Sequence, residues 1–250
     1  MTVVMVHGNL ETPAIWEPMR EHLSTREIVP LSPPGFGAPV PASFGGTWVD
    51  YREWLIHELE QIAEPVHLFG HDWGGGHVMN VAMIRPDLLK SWASDTLGTL
   101  ADDFAWHNLA QLWRDPVEGP KAVDELMGGT LEDRTRRLLP FGIPEATAAK
   151  IAQAMGPEMG RSLLALYGSA GPEALIEMRE GLSNAGARPG LSIHATEDHD
   201  LGTMSGRHRA AGIARAITVD LPGRHHWWML EDPTQAASIL ERFWESIDVP

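Results

Sequence analysis

The feature that most constrains the fold of this chain is the segment Gly70-His71-Asp72-Trp73-Gly74. An apolar run from Val66 to Phe69 precedes it, and a helix-forming run from Gly75 to Ala82 follows it. Glycines on either side of a central residue permit the strained backbone of a sharp strand–turn–helix connection, which holds the central side chain at the top of a sheet. The segment therefore predicts an α/β architecture in which the Asp72 carboxylate projects into a site.

Aspartate at such a turn indicates a particular chemistry. A serine there would attack a carbonyl carbon, whereas a carboxylate attacks an electrophilic sp³ carbon and forms an alkyl-ester intermediate. A G-x-D-x-G segment alone is usually an ordinary glycine-rich turn, so this interpretation requires partner residues elsewhere in the chain.

Length and composition limit the other possibilities. With 250 residues, 43% of them hydrophobic, the chain can form one large α/β domain or a core domain with an inserted lid. A net charge of −15 argues against nucleic acid or an anionic membrane as a partner, and the lack of cysteine excludes disulfides and thiolate chemistry. No apolar run approaches the roughly 18 residues of a membrane span, and the first residues lack a signal-peptide pattern. We therefore expect a cytoplasmic enzyme.

Strand-like and helix-like segments alternate in the first part of the chain. Strands are predicted at Thr2–Val6, Glu27–Leu31, Val66–Phe69 and Leu89–Ser94, and helices at Pro13–Leu23, Thr47–Ala63 and after the Asp72 turn. This alternation predicts a mostly parallel sheet with right-handed crossovers.

The alternation stops between about residues 98 and 186, where the sequence is helix-like with Gly and Pro breaks and has no strand-like run. Strand-like runs resume at Leu191–Ala195 and Ala216–Val219, and Pro233–Ile247 predicts a final helix. We therefore predict a core domain made of residues 1–97 and 187–250, with residues 98–186 inserted as a helical lid.

The order of three further features supports a catalytic site. After Asp72 come an acid in a predicted strand-end loop, Asp198, and a histidine, His226, in Gly223-Arg224-His225-His226-Trp227-Trp228. Nucleophile, acid and histidine follow each other in this order in the α/β-hydrolase triad. With His7-Gly8 and Pro34-Gly35-Phe36-Gly37, these segments make nearly the whole chain resemble the aspartate-nucleophile branch of the α/β-hydrolase superfamily. That branch contains haloalkane and haloacetate dehalogenases and epoxide hydrolases. The antiparallel strand pair that usually begins that fold is missing here.

The resemblance implies a role for each residue. Asp72 would attack carbon, and His226, oriented by Asp198, would activate water against the resulting ester. The backbone N–H groups of Asn9 and Trp73 would form the oxyanion hole. His226 is preferred over His225 because its spacing to Glu231 resembles the histidine loop of the family. Asp95, after the strand that follows the Asp72 helix, is the alternative acid, since some haloalkane dehalogenases use that position.

The side chains predicted around this site indicate which leaving group it accommodates. Asn9 and Trp73 resemble the residues with which haloalkane dehalogenases bind halide, and Trp106 resembles the lid tryptophan of haloacetate dehalogenases. Related epoxide hydrolases protonate the epoxide with two lid tyrosines, but here only Tyr167 falls in the predicted lid. An indole N–H donates a hydrogen bond without being an acid near neutral pH, so the pattern favours halide. Trp73 and His77 stand where haloacetate dehalogenases carry arginines, which favours a neutral, apolar substrate.

The sequence therefore predicts a hydrolase that is haloalkane dehalogenase-like and uses water as its only co-substrate. An epoxide hydrolase is the alternative, followed by an esterase or lactonase and by a binding protein without turnover. No metal is expected from the histidine spacing and no nucleotide cofactor from the glycine pattern. The oligomeric state, monomer or homodimer, is left open.

Overall fold

A six-stranded sheet forms the centre of the protein, in a computed structural model that describes residues 2–24 and 27–248. The strands are Thr2–Val6 (β1), Glu27–Leu31 (β2), Val66–Gly70 (β3), Leu89–Ser94 (β4), Gly190–Ala195 (β5) and Ile217–Leu221 (β6). Their spatial order is β2-β1-β3-β4-β5-β6, and every neighbouring pair is parallel. The predicted fold class is confirmed, and within the described residues no antiparallel strand pair precedes β1.

The burial of the strands explains their sequences. Every residue of β3 and β5 is buried, whereas the edge strands β2 and β6 are partly exposed. A central parallel strand is covered by helices on both faces, so it needs a nearly continuous apolar run. The run at Val3–Val6, fully buried in β1, is of this kind and could therefore be identified from the sequence.

Helices surround the sheet and fill the segment between β4 and β5. The described residues form twelve α-helices: Glu17–Arg20 (α1), Trp48–Glu60 (α2), Trp73–Ile84 (α3), Asn108–Arg114 (α4), Glu118–Met127 (α5), Leu131–Leu138 (α6), Glu145–Ala154 (α7), Pro157–Ser169 (α8), Pro172–Arg179 (α9), Met204–Ile213 (α10), Trp228–Glu231 (α11) and Pro233–Asp248 (α12). None of them is long and apolar enough to cross a membrane.

The segment between β4 and β5 contains helices α4 to α9, three short 3-10 helices and no strand. This helical composition agrees with the inserted lid predicted over residues 98–186. The division of the chain at those residues stays a prediction.

Two helical segments differ from the sequence prediction. The helix predicted at Pro13–Leu23 is a 3-10 turn at Pro13–Trp16 followed by α1, which ends at Arg20. Pro18 lies inside this segment and has no N–H to donate to the preceding turn, so a long regular helix cannot form. Helix α10, which was not predicted, has little hydrophobic periodicity and packs mainly on the 3-10 turn at Leu97–Leu100, with fewer contacts to β5 and β6.

Candidate active site

The turn at Asp72 has the strained geometry that its glycines permit. Asp72 has φ of +50°, a left-handed conformation that costs energy for any residue other than glycine. A Cβ on Gly70 would lie 2.4 Å from the Gly74 carbonyl oxygen, and one on Gly74 would lie 2.2 Å from the Val6 carbonyl oxygen. Only glycine therefore fits at either position, and the turn packs directly on the end of β1.

The Asp72 carboxylate is held by the loop that follows β1. The Asn9 backbone N–H donates to Asp72 Oδ2 at 2.9 Å, and a Cβ on Gly8 would lie only 2.3 Å from the same oxygen. Burial raises the pKa of Asp72, while the charge of His226 opposes this rise. The Asn9 N–H thus lies at the Asp72 carboxylate, and its role as an oxyanion donor stays a prediction. The Trp73 N–H, also predicted there, makes no hydrogen bond to this carboxylate among the described residues.

His226 and Asp198 lie together beside Asp72. His226 Nδ1 is 2.8 Å from Asp198 Oδ2, and the side chains are 16% and 2% exposed. Burial disfavours the charged form of His226, but the Asp198 carboxylate outweighs it and raises the pKa of His226 to about 9. Burial likewise opposes the charged form of Asp198, but His226 outweighs it and lowers the pKa of that carboxyl below its usual range. The pair can therefore hold a proton taken from water.

Arg207 fixes the loop that carries Asp198. This guanidinium is 1% exposed and donates from Nη1 to the Ala195 carbonyl at 2.8 Å and from Nη2 to the Asp198 carbonyl. It also donates from Nε to the Gly202 carbonyl at 3.2 Å. The sequence analysis missed Arg207, because its position depends on how α10 packs against β5.

Asp95, the alternative acid, has other partners. Its Oδ2 lies 2.6 Å from His71 Nδ1 and accepts from Trp228 Nε1 at 2.8 Å, while its Oδ1 accepts from the Asp72 backbone N–H at 3.1 Å. No hydrogen bond joins it to His226 among the described residues. Asp95 therefore supports the Asp72 turn from below rather than orienting His226.

The sequence analysis did not identify the pair His71 and Glu11 as part of the site. His71 Nε2 is 3.2 Å from Glu11 Oε1, and both side chains are fully buried. The signal available in the sequence was Glu11 itself, a charged residue in a segment that had to pack under the Asp72 turn.

His225 lies away from Asp72. Its side chain is 67% exposed and its Nδ1 is 3.4 Å from Glu231 Oε1. Glu231 also accepts the backbone N–H of His225 at 2.8 Å, so it positions the loop that presents His226.

Two adjoining cavities meet at Asp72, Trp106 and Leu201. One, of about 450 Å³, lies mainly between apolar side chains such as Leu100, Leu175 and Met178. The other, of about 710 Å³, includes Asn9, Tyr167 and His226 in its lining, and both cavities are partly open to solvent. None of the described residues that line the two cavities is a lysine or an arginine. Asp72, His226 and a largely apolar space therefore share one site.

The side chains predicted to contact the leaving group differ in their availability. In the described part of the chain, Asn9 Nδ2 and Trp73 Nε1 are buried and make no hydrogen bond of normal geometry, although both side chains lie close to the Tyr167 hydroxyl. Trp106 stacks on Trp73 with ring centroids 5.6 Å apart, but its Nε1 donates to the Ala170 carbonyl at 2.9 Å. The indole N–H predicted to stabilise halide from Trp106 is thus already engaged, and the residue contributes only its ring to the cavity wall.

The two tyrosines of the sequence lie in different parts of the structure. Tyr167 lines the cavity, and its pKa is raised by burial and by the Asp72 charge, an effect that the Trp73 and Asn9 side chains oppose. Tyr51 lies elsewhere, donating its hydroxyl to the Pro34 carbonyl at 2.7 Å. Only Tyr167 is therefore available near Asp72.

Within residues 2–24 and 27–248, two clusters have the donor set of a metal site. The ligand atoms of Glu11, His71 and His226 lie within 4.8 Å of one another, as do those of a second group formed by His194, His208 and Asp220. In the first group His71 already lies between two carboxylates, which favours a proton over a metal ion. The absence of a metal stays a prediction.

Comparison with known proteins supports the fold. Residues 3–239 match the family model described as "Alpha/beta hydrolase family". The chain is 29% identical over 93 residues to (E)-2-((N-methylformamido)methylene)succinate hydrolase of Acinetobacter baylyi, and 28% identical over 98 residues to the uncharacterized carboxylesterase nap of Bacillus subtilis. Each match covers 36% of this chain, and only 35% and 31% of those relatives.

Similar solved structures cover almost the whole chain. A putative ancestral haloalkane dehalogenase has a TM-score of 0.75 at 20% identity and covers 99% of this chain and 92% of its own. A loop variant of a haloalkane dehalogenase from Bradyrhizobium elkanii has a TM-score of 0.73 at 15% identity, with 99% and 91% covered. E-2-(acetamidomethylene)succinate hydrolase has a TM-score of 0.75 at 15% identity, with 98% and 91% covered. At these identities the likeness shows the fold.

Proposed function

This chain belongs to the alpha/beta hydrolase family, and on that premise we propose that it hydrolyses a neutral alkyl electrophile through an ester of Asp72, with an alkyl halide as the leading substrate class. The observation that carries the proposal is the aspartate at the strained turn, which lines the same cavity as His226, the partner of Asp198.

Each step has a group to perform it. The Asn9 N–H holds Asp72 Oδ2, which leaves Oδ1 to attack carbon. The new C–O bond replaces the carbon–halogen bond, whose electron pair leaves with the halide. His226 then takes a proton from water, and the hydroxide oxygen attacks the Asp72 carboxyl carbon. The acyl C–O bond of the ester breaks, the departing alkoxide takes the proton of the added hydroxyl group and leaves as the alcohol, and the Asp72 carboxylate is restored.

The unpaired donors at Asn9 and Trp73 favour halide as the leaving group. A buried N–H without an acceptor costs about 1–3 kcal/mol, so two of them beside a nucleophile indicate a site built for an acceptor that arrives during the reaction. A departing halide in a water-poor cavity is such an acceptor. The lack of a lysine or arginine in the lining favours a substrate without a carboxylate.

Epoxide opening is the second candidate, and Tyr167 is the observation that favours it. Its raised pKa keeps the hydroxyl protonated, so it can donate to the ring oxygen as the ring opens. The second tyrosine of the epoxide-hydrolase pattern has no counterpart at this cavity, because Tyr51 bonds the Pro34 carbonyl.

The experiment is to trap the ester. His226→Gln removes the base but leaves Asp72 free to attack, so the variant should accumulate a covalent adduct detectable by intact-mass measurement. We would incubate it with bromoalkanes and, separately, with terminal epoxides. Asp72→Asn in the same background is the control and should form no adduct.

The mass gained distinguishes the candidates. A gain equal to the alkyl group without bromine supports the dehalogenase, whereas a gain of the whole epoxide supports an epoxide hydrolase and contradicts our leading proposal. Folded protein without an adduct from either set would remove both and favour an ester substrate or a protein without turnover.

A further inference from the structure

A buried group of three charges lies directly below the Asp72 turn. His71 sits between two carboxylates, with Nδ1 2.6 Å from Asp95 Oδ2 and Nε2 3.2 Å from Glu11 Oε1. The three side chains are between 0% and 3% exposed. We call Glu11, His71 and Asp95 the buried ion triad.

The carboxylates of the triad are held in place by other groups. Glu11 accepts the Gly8 backbone N–H at 2.7 Å and the indole N–H of Trp227 at 2.5 Å. Asp95 accepts the indole N–H of Trp228 and the Asp72 backbone N–H. Carboxylates that already accept several hydrogen bonds stay ionised, so an imidazole placed between them is stabilised as imidazolium.

The triad faces the proposed catalytic histidine. The rings of His71 and His226 have centroids 4.6 Å apart, and little solvent separates them because His71 is fully buried. Two imidazolium ions at this distance in a buried site repel each other strongly. The charge on His71 therefore opposes a proton on His226.

The other ionisable groups around His226 come from several loops. They are Asp198 after β5, Asp72 after β3, Glu11 after β1, and Asp200 in the lining of the same cavity. Asp198 and Asp72 favour the proton on His226, and together they raise its pKa against the effects of burial and of His71. Of these carboxylates only Asp72 changes its charge during the proposed reaction.

We propose that the buried ion triad is a positioning unit whose fixed His71 charge releases the proton of His226 once Asp72 has been converted into a neutral ester. Before the reaction, the Asp72 carboxylate offsets part of the repulsion from His71, and Asp198 and Asp72 together keep the proton on His226. Esterification removes that negative charge, the His71 charge does not change, and His226 loses its proton to solvent. The histidine is thereby converted into a base at the step that needs one.

This inference rests on the proposed function for its role, but its electrostatics can be tested without a substrate. Asp72→Asn replaces the carboxylate by a neutral group of the same shape and so stands in for the ester. The titration of His226 would be followed by NMR of its ring C–H, with His226→Gln used to assign the signal among the 12 histidines.

Three titrations form the test. In the native protein His226 should titrate near 9, and in Asp72→Asn at a clearly lower pH. Adding His71→Gln, which removes the charge but keeps an N–H donor for Asp95, should raise the midpoint again by about one pH unit or more. Adding His77→Gln instead is the matched control, because His77 is also a buried histidine, near Trp73. Burial lowers the pKa of His77 to about 3, so this substitution removes no charge and the midpoint of His226 should not move.

The result that would overturn the proposal is an equal midpoint in Asp72→Asn with and without His71→Gln. If His71→Gln does not fold, ¹⁵N shifts of the native protein decide the question. Both ring nitrogens of His71 should stay protonated throughout the titration of His226, and loss of a His71 proton in that range would contradict the fixed charge.

Kinetics separate this proposal from the proposed function. If His226→Gln forms an alkyl adduct, His71→Gln should also accumulate it near neutral pH and hydrolyse it only at higher pH. A purely structural role for His71 would instead lower the rate equally at all pH values. If no adduct forms in any variant, the proposed function fails while the NMR result still tests the triad.

Discussion

The hydrogen bond between Asp198 and His226 should control the hydrolysis of the ester rather than its formation. Replacing Asp198 by Asn removes the charge but keeps the shape of a side chain that is only 2% exposed. The pKa of His226 is raised from 6.5 to about 9 mainly by this carboxylate against the effect of burial. At 1.36 kcal/mol per pKa unit, the carboxylate stabilises the imidazolium by roughly 3 kcal/mol.

That stabilisation is needed when His226 accepts the proton of water. Losing it should slow ester hydrolysis roughly a hundredfold, since each 1.36 kcal/mol is a factor of ten in rate. Alkylation of Asp72 does not require a proton on His226 to move, so it should change much less. Rapid-quench intact-mass measurement with a bromoalkane would follow both steps, and the adduct should accumulate in Asp198→Asn.

A matched control lies two residues away. Asp200 lines the same cavity as His226 but makes no hydrogen bond to His226 from its side chain. Asp200→Asn should therefore hydrolyse the ester nearly as fast as the native protein. Equal hydrolysis rates in Asp198→Asn and the native protein would refute the reasoning. So would accumulation of the adduct in Asp95→Asn alone, because that would make Asp95 the acid.

Three further predictions concern the donors, the loop and the pH dependence of folding. Trp73→Phe removes the unpaired indole N–H and should weaken bromide binding about tenfold. Trp106→Phe should not weaken it, because the Trp106 N–H donates to the Ala170 carbonyl. Bromide titration would measure both affinities, and equal losses would contradict the assignment. Arg207→Met should lower the free energy of unfolding by about 3 kcal/mol or more in urea denaturation, since three carbonyls lose a buried donor. Arg209→Met, on the exposed side of α10, should change it little, and similar values for the two would show that the buried contacts are not stabilising. The contribution of His226 to stability is present below its ordinary pKa of 6.5 and is lost as pH rises through about 9. The contribution of Asp198 is present above its ordinary pKa of 3.8 and is lost as pH falls below that value. The melting temperature should therefore decline between pH 6.5 and 9, and Asp198→Asn should flatten this decline; an unchanged slope would refute the linkage.

The order of strands and helices could be predicted because it depends on patterns that are local in the sequence. The apolar run of β1 and the segment from Gly70 to Gly74 each contain the information for their own structure, through burial on both faces and through glycine geometry. The helix at α2 was predicted within a few residues, and its start at Trp48 is set by the Thr47–Asp50 capping box. Where the local pattern was weak, as in α10, no helix was predicted.

What the sequence by itself determined is the order of the fold, the aspartate at the turn and a short set of partners for it. Only the tertiary structure decided which of these residues meet. Asp198 contacts His226 across 28 positions of the chain, Asn9 contacts Asp72 across 63, and Trp227 contacts Glu11 across 216. The reason is physical: the carboxyl ends of parallel strands lie at one edge of the sheet, but the packing of loops and helices sets each distance there within an ångström or two. Through that packing Asp95 contacts His71 and the Trp106 N–H donates to a backbone carbonyl. No local pattern in the sequence predicts either contact.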